Sequence, residues 1–132
     1  MKLLIIDDEE KLLELLKTHL SSDFEIETSN EINKAQFILK NFMPDGIIID
    51  WNMPNGGGEK LILELRNNEQ YEFVPILVLT AYDTLIIQSR AIESGADGYL
   101  AKPASLIQIK TEILAMIKKQ QEAKTLIERL SK

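Results

Sequence analysis

Short apolar runs alternate with longer stretches of helical periodicity along this chain. The runs cover residues 3–6, 24–28, 46–50, 76–80 and 99–101. Most are almost wholly apolar, which is typical of strands buried on both faces of a parallel sheet, whereas 24–28 alternates as a half-exposed strand does. After each run, apolar residues recur at the steps of three and four that predict amphipathic helices. These helices are expected over residues 11–20, 30–42, 59–66, 84–94 and from 106 onwards.

Five strands, each followed by a helix, predict an α/β fold with right-handed crossovers. The expected architecture is a flavodoxin-like, doubly wound (βα)5 parallel sheet with strand order 2-1-3-4-5 and an extended C-terminal helix. Such sheets bind ligands beyond the carboxyl ends of the strands, where the strand order reverses. The first and third strands are neighbours at that point. Asp7, Asp8 and Asp50, which end these two strands, are therefore expected to meet.

A few residues mark where the predicted elements begin and end. Gly95 suits the C-terminal end of the fourth helix, and Ser105 suits the N-cap of the last one. Asn55 and the three glycines at 56–58 predict a flexible loop before the third helix, because glycine tolerates many backbone conformations.

Composition and charge narrow the classes of function. The chain has 132 residues, enough for one domain with a sizeable core. Its net charge of -6 argues against direct nucleic acid binding by this segment. No apolar stretch approaches the ~20 residues of a membrane span. Met1 leads almost directly into a predicted strand, so we expect no signal peptide. The sequence has no cysteine, which fits the cytoplasmic location that we expect.

Polar residues with matching chemistry stand at the ends of four predicted strands. They are Asp7 and Asp8, Asp50, Thr80 and Lys102. Taken singly, acids before a helix can be caps, and a lone aspartate can begin a turn. Together, partly desolvated carboxylates favour a hard cation, and Mg²⁺ typically binds carboxylate and phosphate oxygens. A carboxylate beside a metal and an ammonium can attack phosphorus to form an aspartyl phosphate.

These residues carry a resemblance to a known family. The chain resembles the receiver domain of two-component response regulators, close to the single-domain chemotaxis type. The resemblance covers residues 1 to about 119, so we expect a receiver domain over 1–119 and a helical extension or linker over 120–132. The segments that carry it are Ile5-Ile6-Asp7-Asp8-Glu9, Asp50-Trp51-Asn52-Met53-Pro54, Thr80-Ala81, Gly95-Ala96-Asp97-Gly98-Tyr99 and Lys102-Pro103.

The resemblance implies a role for each matching residue of the site. Asp50 matches the phosphoacceptor, and Lys102 matches the ammonium that contacts the phosphoryl group. Asp8 matches the direct Mg²⁺ ligand, and Asp7 its neighbour that holds the metal through water. The position of Asn52 supplies a backbone carbonyl to the metal.

The resemblance also implies a switch and reveals departures. Thr80 and Tyr99 match a pair that moves inward on phosphorylation. Gly57 replaces an aspartate that is usual in the family, and Ala104 replaces an aromatic residue that often follows the Lys-Pro pair. Lone His19 is expected at the surface and away from the acids.

The implied function is that of a phosphorylation-activated signalling receiver. It would accept a phosphoryl group on Asp50 from a sensor histidine kinase or a histidine phosphotransfer protein, and then switch an output surface. It would not be a conventional enzyme, although it would assist its own phosphorylation and dephosphorylation. Three alternatives stay open at this point: a Mg²⁺-dependent phosphohydrolase with an aspartyl-phosphate intermediate, a flavin-binding domain, and a receiver-like interaction module that is never phosphorylated.

The last predicted helix is longer than the sheet requires. Its apolar stripe has heptad spacing and continues through Ala123, Ile127 and Leu130. Because exposed apolar residues at this spacing favour a partner helix, the tail is expected to pair with a second copy of the chain or with a downstream output domain.

Overall fold

Five parallel strands form one sheet in the order β2-β1-β3-β4-β5, so the predicted strand order is confirmed. The structure is a computed structural model and describes residues 1–82 and 84–131. The strands are β1 (Lys2–Ile6), β2 (Glu25–Ser29), β3 (Gly46–Asp50), β4 (Ile76–Thr80) and β5 (Gly98–Ala101). The helices are α1 (Glu10–Leu20), α2 (Ile32–Leu39), α3 (Gly57–Arg66), α4 (Leu85–Ser94) and α5 (Leu106–Leu130).

The sheet is covered on both faces, and each face has its own apolar core. Successive strand side chains point to opposite faces, so Leu4 and Ile6 of β1 enter one core while Leu3 and Ile5 enter the other. Residues of α2, α3 and α4 line the first core, and residues of α1 and α5 line the second. Burial on both sides explains why the central strands are continuous apolar runs in the sequence.

The predicted C-terminal end of α4 at Gly95 and the predicted N-cap of α5 at Ser105 are confirmed. The side chain of Thr84 caps α4 by accepting a hydrogen bond from the backbone N–H of Ile87 at 3.2 Å. The side chain of Ser105 caps α5 in the same way, accepting from Gln108 N–H at 3.0 Å. Gly95 ends α4 with φ at 118°, in the left-handed region that glycine tolerates.

The segment between β3 and α3 differs from its prediction. Asn55 and Gly56 are left-handed, with φ of 60° and 66°, and form a tight turn. The prediction of a flexible loop is wrong for Gly57 and Gly58, which are buried in the first turn of α3. A Cβ at Gly58 would lie 2.7 Å from the backbone oxygen of Asp50, so this helix approaches β3 too closely for a side chain.

Two further differences concern α2 and α5. The helix predicted over residues 30–42 is shorter and covers only Ile32–Leu39. By contrast, α5 is continuous over 25 residues and passes beyond the sheet. Its residues Ile109, Ile113 and Ile117 are buried, whereas the later apolar residues Leu126, Ile127 and Leu130 are exposed. Lys132, the last residue of the predicted extension, lies outside the described residues.

Within residues 1–82 and 84–131, no helix combines the length and apolar character that crossing a membrane requires.

The close approach at Gly58 predicts a destabilising variant. Gly58→Ala should lower the free energy of unfolding by about 1–3 kcal/mol, because the new methyl group meets backbone atoms that cannot turn away. The better helix propensity of alanine offsets at most ~1 kcal/mol of this cost. Urea unfolding followed by circular dichroism measures the effect.

The matched control is Gly98→Ala, whose new Cβ would lie 3.7 Å or more from flexible Met116 atoms. This control should stay within about 0.5 kcal/mol of the unsubstituted chain. Equal stability of the two variants would show that the approach of α3 to β3 is not the constraint.

Candidate functional site

Three carboxylates converge at the carboxyl edge of the sheet. The register pairs Ile6 of β1 with Ile49 of β3, so Asp7 and Asp50 leave the two strands side by side. A carboxylate oxygen from each of Asp7, Asp8 and Asp50 lies within 4.8 Å of the others. Asp7 and Asp50 are buried, whereas Asp8 is exposed. The predicted meeting of these acids is therefore confirmed.

Backbone N–H groups hold the two buried carboxylates. Asp7 Oδ1 accepts a hydrogen bond from Glu9 N–H at 2.9 Å, and Asp50 Oδ1 accepts one from Asn52 N–H at 3.0 Å. Each aspartate thus begins a turn after its strand, as a lone aspartate often does. The turns use one oxygen of each carboxylate and leave the other oxygen directed towards Lys102.

Lys102 bridges the acids from the end of β5. Its Nζ donates to Asp7 Oδ2 at 2.8 Å and lies 3.7 Å from Asp50 Oδ2. Its position is fixed by a backbone hydrogen bond from Lys102 N–H to Thr80 O at 2.7 Å. The ammonium therefore stands where it can neutralise negative charge that builds up on Asp50.

The pKa values of this group follow from burial and mutual repulsion. Burial, together with the negative charges of Asp7 and Asp8, raises the pKa of Asp50 to about 6, although the hydrogen bond from Asn52 and the charge of Lys102 oppose the rise. Burial alone would lower the pKa of Lys102. The hydrogen bond to Asp7 and the charges of Asp50 and Asp7 outweigh this effect, so the pKa of Lys102 is raised and the ammonium stays charged.

The three carboxylates fit a small divalent cation. Their oxygens lie within 4.8 Å of one another, near enough for one small cation to contact more than one of them. Exposed Asp8 opens the cluster to solvent, and Mg²⁺ characteristically keeps several waters. Oxygen-only donors of high negative charge also match the preference of a hard cation.

Thr80 occupies the end of β4 but has a partner of its own. Its buried hydroxyl donates to Tyr82 O and accepts from Tyr82 N–H, both at 3.1 Å. These bonds fix the backbone of Tyr82 after β4.

The two remaining predicted residues lie away from the acids. Tyr99 is half-buried and packs against the apolar core that α2, α3 and α4 line. His19 is exposed in the last turn of α1, as expected.

One contact of the site was not predicted. The side-chain Oδ1 of Asn52 accepts a hydrogen bond from Ala81 N–H at 3.1 Å, which joins the segment after β3 to the segment after β4. The resemblance gave only the backbone carbonyl of Asn52 a role. No local pattern relates two residues that lie 29 positions apart, so the sequence alone offered no signal for this bond.

Comparison with known proteins identifies the class of this domain. Residues 3–114 match the family model of the response regulator receiver domain. This match covers most of the chain, so the chain belongs to the response regulator receiver domain family. Receiver domains are the signalling domains of two-component systems that are phosphorylated on an aspartate, and the predicted family and function are thereby confirmed.

Relatives extend this identification. The chain is 33% identical over 119 residues to the phosphate regulon transcriptional regulatory protein PhoB of Rhizobium meliloti, covering 89% of this chain and 52% of that protein. The chain thus spans about half the length of the curated relatives it matches. It resembles the solved adenylate cyclase structure from Rhodopirellula baltica at 31% identity and a TM-score of 0.86, over 99% of this chain and 97% of that one.

A third relative bears on the site chemistry. It is a response regulator from Burkholderia pseudomallei, 27% identical with a TM-score of 0.78, over 95% of this chain and 73% of that one. That protein was solved with a phosphorylated aspartic acid, a calcium ion and citrate.

The raised pKa of Asp50 predicts that ionised Asp50 destabilises the metal-free fold, so that stability depends on pH. Asp50 binds its proton more tightly in the folded state than in the unfolded state, where the pKa of an aspartate is 3.8. The free energy of unfolding should therefore fall as pH rises from about 4 to about 6. Asp50→Asn removes the titrating group. It should exceed the unsubstituted chain in stability by about 1–3 kcal/mol at pH 7, since one pKa unit corresponds to ~1.4 kcal/mol.

Urea unfolding at several pH values, with chelator present, measures this gap. The gap should shrink towards pH 4. Asp8→Asn is the matched control, because Asp8 is exposed and should give a smaller gain. A gap between Asp50→Asn and the unsubstituted chain that is the same at every pH would contradict the assignment of this cost to Asp50.

Proposed function

We propose that Asp50 is the phosphoacceptor of this receiver domain. The observation that supports this most directly is its buried carboxylate, which faces the Lys102 ammonium at 3.7 Å beside two further acids. A carboxylate oxygen of Asp50 attacks the phosphorus of a phosphohistidine on a donor protein. The new P–O bond forms as the P–N bond breaks, and the histidine imidazole leaves with its electron pair.

The acids around Asp50 would hold Mg²⁺. Asp8, Asp50 and the backbone carbonyl of Asn52 are proposed as direct ligands, and Asp7 as a ligand through water. A bound Mg²⁺ supplies charge neutralisation for the phosphoryl oxygens. The chain's own contribution is to fix the carboxylates through backbone N–H groups and to place the Lys102 ammonium against the same oxygens.

The partners follow from this chemistry. The donor is a sensor histidine kinase or a histidine phosphotransfer protein in the cytoplasm, and the domain works as a switch that assists its own phosphorylation and dephosphorylation, not as a conventional enzyme. The helical extension over 120–132 passes the signal on by pairing with a second copy or with an output domain. Exposed Leu126, Ile127 and Leu130 support this role, because together they leave an apolar stripe without cover.

A phosphohydrolase is the second candidate and is less well supported. Such enzymes usually place their nucleophile and acid as Asp-x-Asp after one strand. Here the acids come from β1 and β3, and the residue two positions after Asp50 is Asn52. The carboxamide of Asn52, whose Oδ1 accepts from Ala81 N–H, has no acidic proton and therefore cannot act as a general acid.

Phosphorylation of Asp50 is tested with acetyl phosphate and Mg²⁺. Intact-mass measurement should show one added phosphoryl group, and both EDTA and Asp50→Asn should abolish it. Asp8→Asn should slow the reaction by at least about tenfold, since even indirect metal-site changes cost 10–100-fold.

The matched control is Asp45→Asn, which changes an acid at the opposite edge of the sheet, where Asp45 accepts a hydrogen bond from Lys2 N–H. It should react like the unsubstituted chain. Undiminished modification of Asp50→Asn would refute the assignment.

We further propose that Thr80 and Tyr99 form the switch. The Thr80 hydroxyl is engaged with Tyr82, so a phosphoryl group on Asp50 competes for the same hydroxyl and loosens the segment after β4. Movement of Thr80 gives half-buried Tyr99 room to turn inward. A ligand shifts such an equilibrium only through contacts that differ between the two states, and the Thr80 hydroxyl provides one.

Thr80→Ala tests this coupling, with Thr80→Ser as the control that keeps the hydroxyl. Beryllofluoride, a phosphoryl mimic, should bind to both variants. The resulting NMR shift changes at Tyr82 and Tyr99 should be smaller in Thr80→Ala, and Thr80→Ser should match the unsubstituted chain. Equal changes in all three proteins would eliminate Thr80 as the coupling residue.

A further inference from the structure

We propose that the ion pair between Glu59 and Arg90 is a latch that holds α4 in its unphosphorylated position. The pair joins the first turn of α3 to the middle of α4. The latch opens in the switching movement that starts at Thr80. The inference rests on the proposed switch and adds the contact that sets how readily α4 responds to it.

The geometry of the pair favours one placement of α4 against α3. Arg90 Nη2 donates to Glu59 Oε1 at 2.6 Å, and Arg90 Nε donates to Glu59 Oε2 at 3.1 Å. Because the planar guanidinium faces both carboxylate oxygens at once, a pair of this kind is specific in orientation as well as in distance. A displaced α4 cannot keep both bonds equally well.

Glu59 stands on the fixed side of the latch. The preceding residue, Gly58, approaches the backbone of Asp50 so closely that a Cβ would lie 2.7 Å from the Asp50 oxygen. Leu61 and Ile62 of the same helix are at most 1% exposed. Because interiors packed this closely deform little, α3 and the sheet behave as one body. Glu59 is therefore a fixed anchor for whatever it binds.

Arg90 stands on the side that moves. The structure describes all of α4, in which Ala91 and Ser94 are buried and Ile87 is half-buried. Leu85 and Ile86, in the first turn, are 80% and 72% exposed. A helix with few buried apolar contacts is held weakly by packing. A contact at its surface therefore has a larger share in fixing its position.

The start of α4 connects the latch to the switch. Tyr82, whose backbone exchanges two hydrogen bonds with the Thr80 hydroxyl, lies just before Leu85, the first residue of α4. A phosphoryl group that takes over this hydroxyl releases Tyr82 and frees α4 to shift. The bonds between Arg90 and Glu59 oppose the shift. Since they are made fully in only one of the two states, they bias the equilibrium between them.

The exposure of the pair limits the size of this bias. The side chains of Arg90 and Glu59 are 56% and 27% exposed. Ion pairs at such positions are screened by water and salt and contribute little. Loss of the latch should therefore shift the equilibrium by about two- to fivefold. A bias of this size holds α4 at rest and still yields to phosphorylation.

The affinity for beryllofluoride in the presence of Mg²⁺, measured by NMR titration, tests the latch. Glu59→Gln and Arg90→Gln should each raise this affinity by about two- to fivefold, although they change the net charge in opposite directions. Glu59→Arg combined with Arg90→Glu restores an ion pair and should bring the affinity back towards that of the unsubstituted chain. The matched control is Glu64→Gln, because Glu64 lies on α3 but accepts from Gln36 of α2. It should leave the affinity unchanged.

Salt and signal positions give two further readings. The gap between the unsubstituted chain and the single variants should narrow at about 0.5 M NaCl, where the pair is screened. In the absence of beryllofluoride, the amide signals of Tyr82 and Ile87 in both single variants should lie closer to their beryllofluoride-bound positions. A contact that only supports the fold would not shift these signals in that direction.

Every other outcome decides against the latch. Unchanged affinity in both single variants overturns it, and so do opposite effects of the two substitutions, because these would report charge alone. If the exchanged variant does not fold, Glu59→Gln combined with Arg90→Gln replaces it. This double variant should match either single one, since a pair can be lost only once, and additive effects overturn the proposal. Failure of beryllofluoride to bind even the unsubstituted chain would instead refute the proposed function.

Discussion

Mutual repulsion among three carboxylates is the constraint around which this domain is organised. Asp7 and Asp50 are buried within reach of Asp8, and burying like charges together is costly unless an opposite charge is supplied. Lys102 supplies it by donating to Asp7 and approaching Asp50. The ammonium cannot satisfy both acids equally, and Asp50 keeps a raised pKa. The remaining electrostatic repulsion falls when a further positive charge binds, so the site favours a cation.

The parallel sheet is what allows this arrangement. Strands buried on both faces carry polar residues only where they leave the sheet, and all carboxyl ends of parallel strands point to one edge. Asp50 therefore emerges beside Asp7, and Lys102 directly follows β5. Thr80, at the end of β4, lies between Asp50 and Lys102 in the strand order. The interiors of these strands provide the rigid base from which short turns hold each carboxylate.

Sequence reasoning could predict the features that are periodic or that end an apolar run. The strand order and the convergence of Asp7, Asp8 and Asp50 fall in that class. Prediction from the sequence missed the features that depend on distances between segments remote in the chain. The pattern predicts a loop at Gly57 and Gly58 because glycine weakens helices. A Cβ at Gly58 would meet the Asp50 carbonyl, and a Cβ at Gly57 would meet the Ile32 side chain, so the packing of α3 favours glycine at both positions. The bond between Asn52 and Ala81 likewise depends on packing that no local pattern encodes.

The long α5 runs from the neighbourhood of the site to the exposed apolar tail. It begins at Leu106, close after Lys102, and its buried contacts lie between Ile109 and Ile117. At 1.5 Å per residue, Leu106 stands ~10 Å along the axis before Ile113, the middle one of the three buried isoleucines, whereas Leu130 stands ~26 Å beyond it. A rigid helix that pivots about Ile113 therefore moves its tail roughly two and a half times as far as its start. Geometry alone makes the exposed stripe at the end of α5 the place where a small displacement near Lys102 is largest.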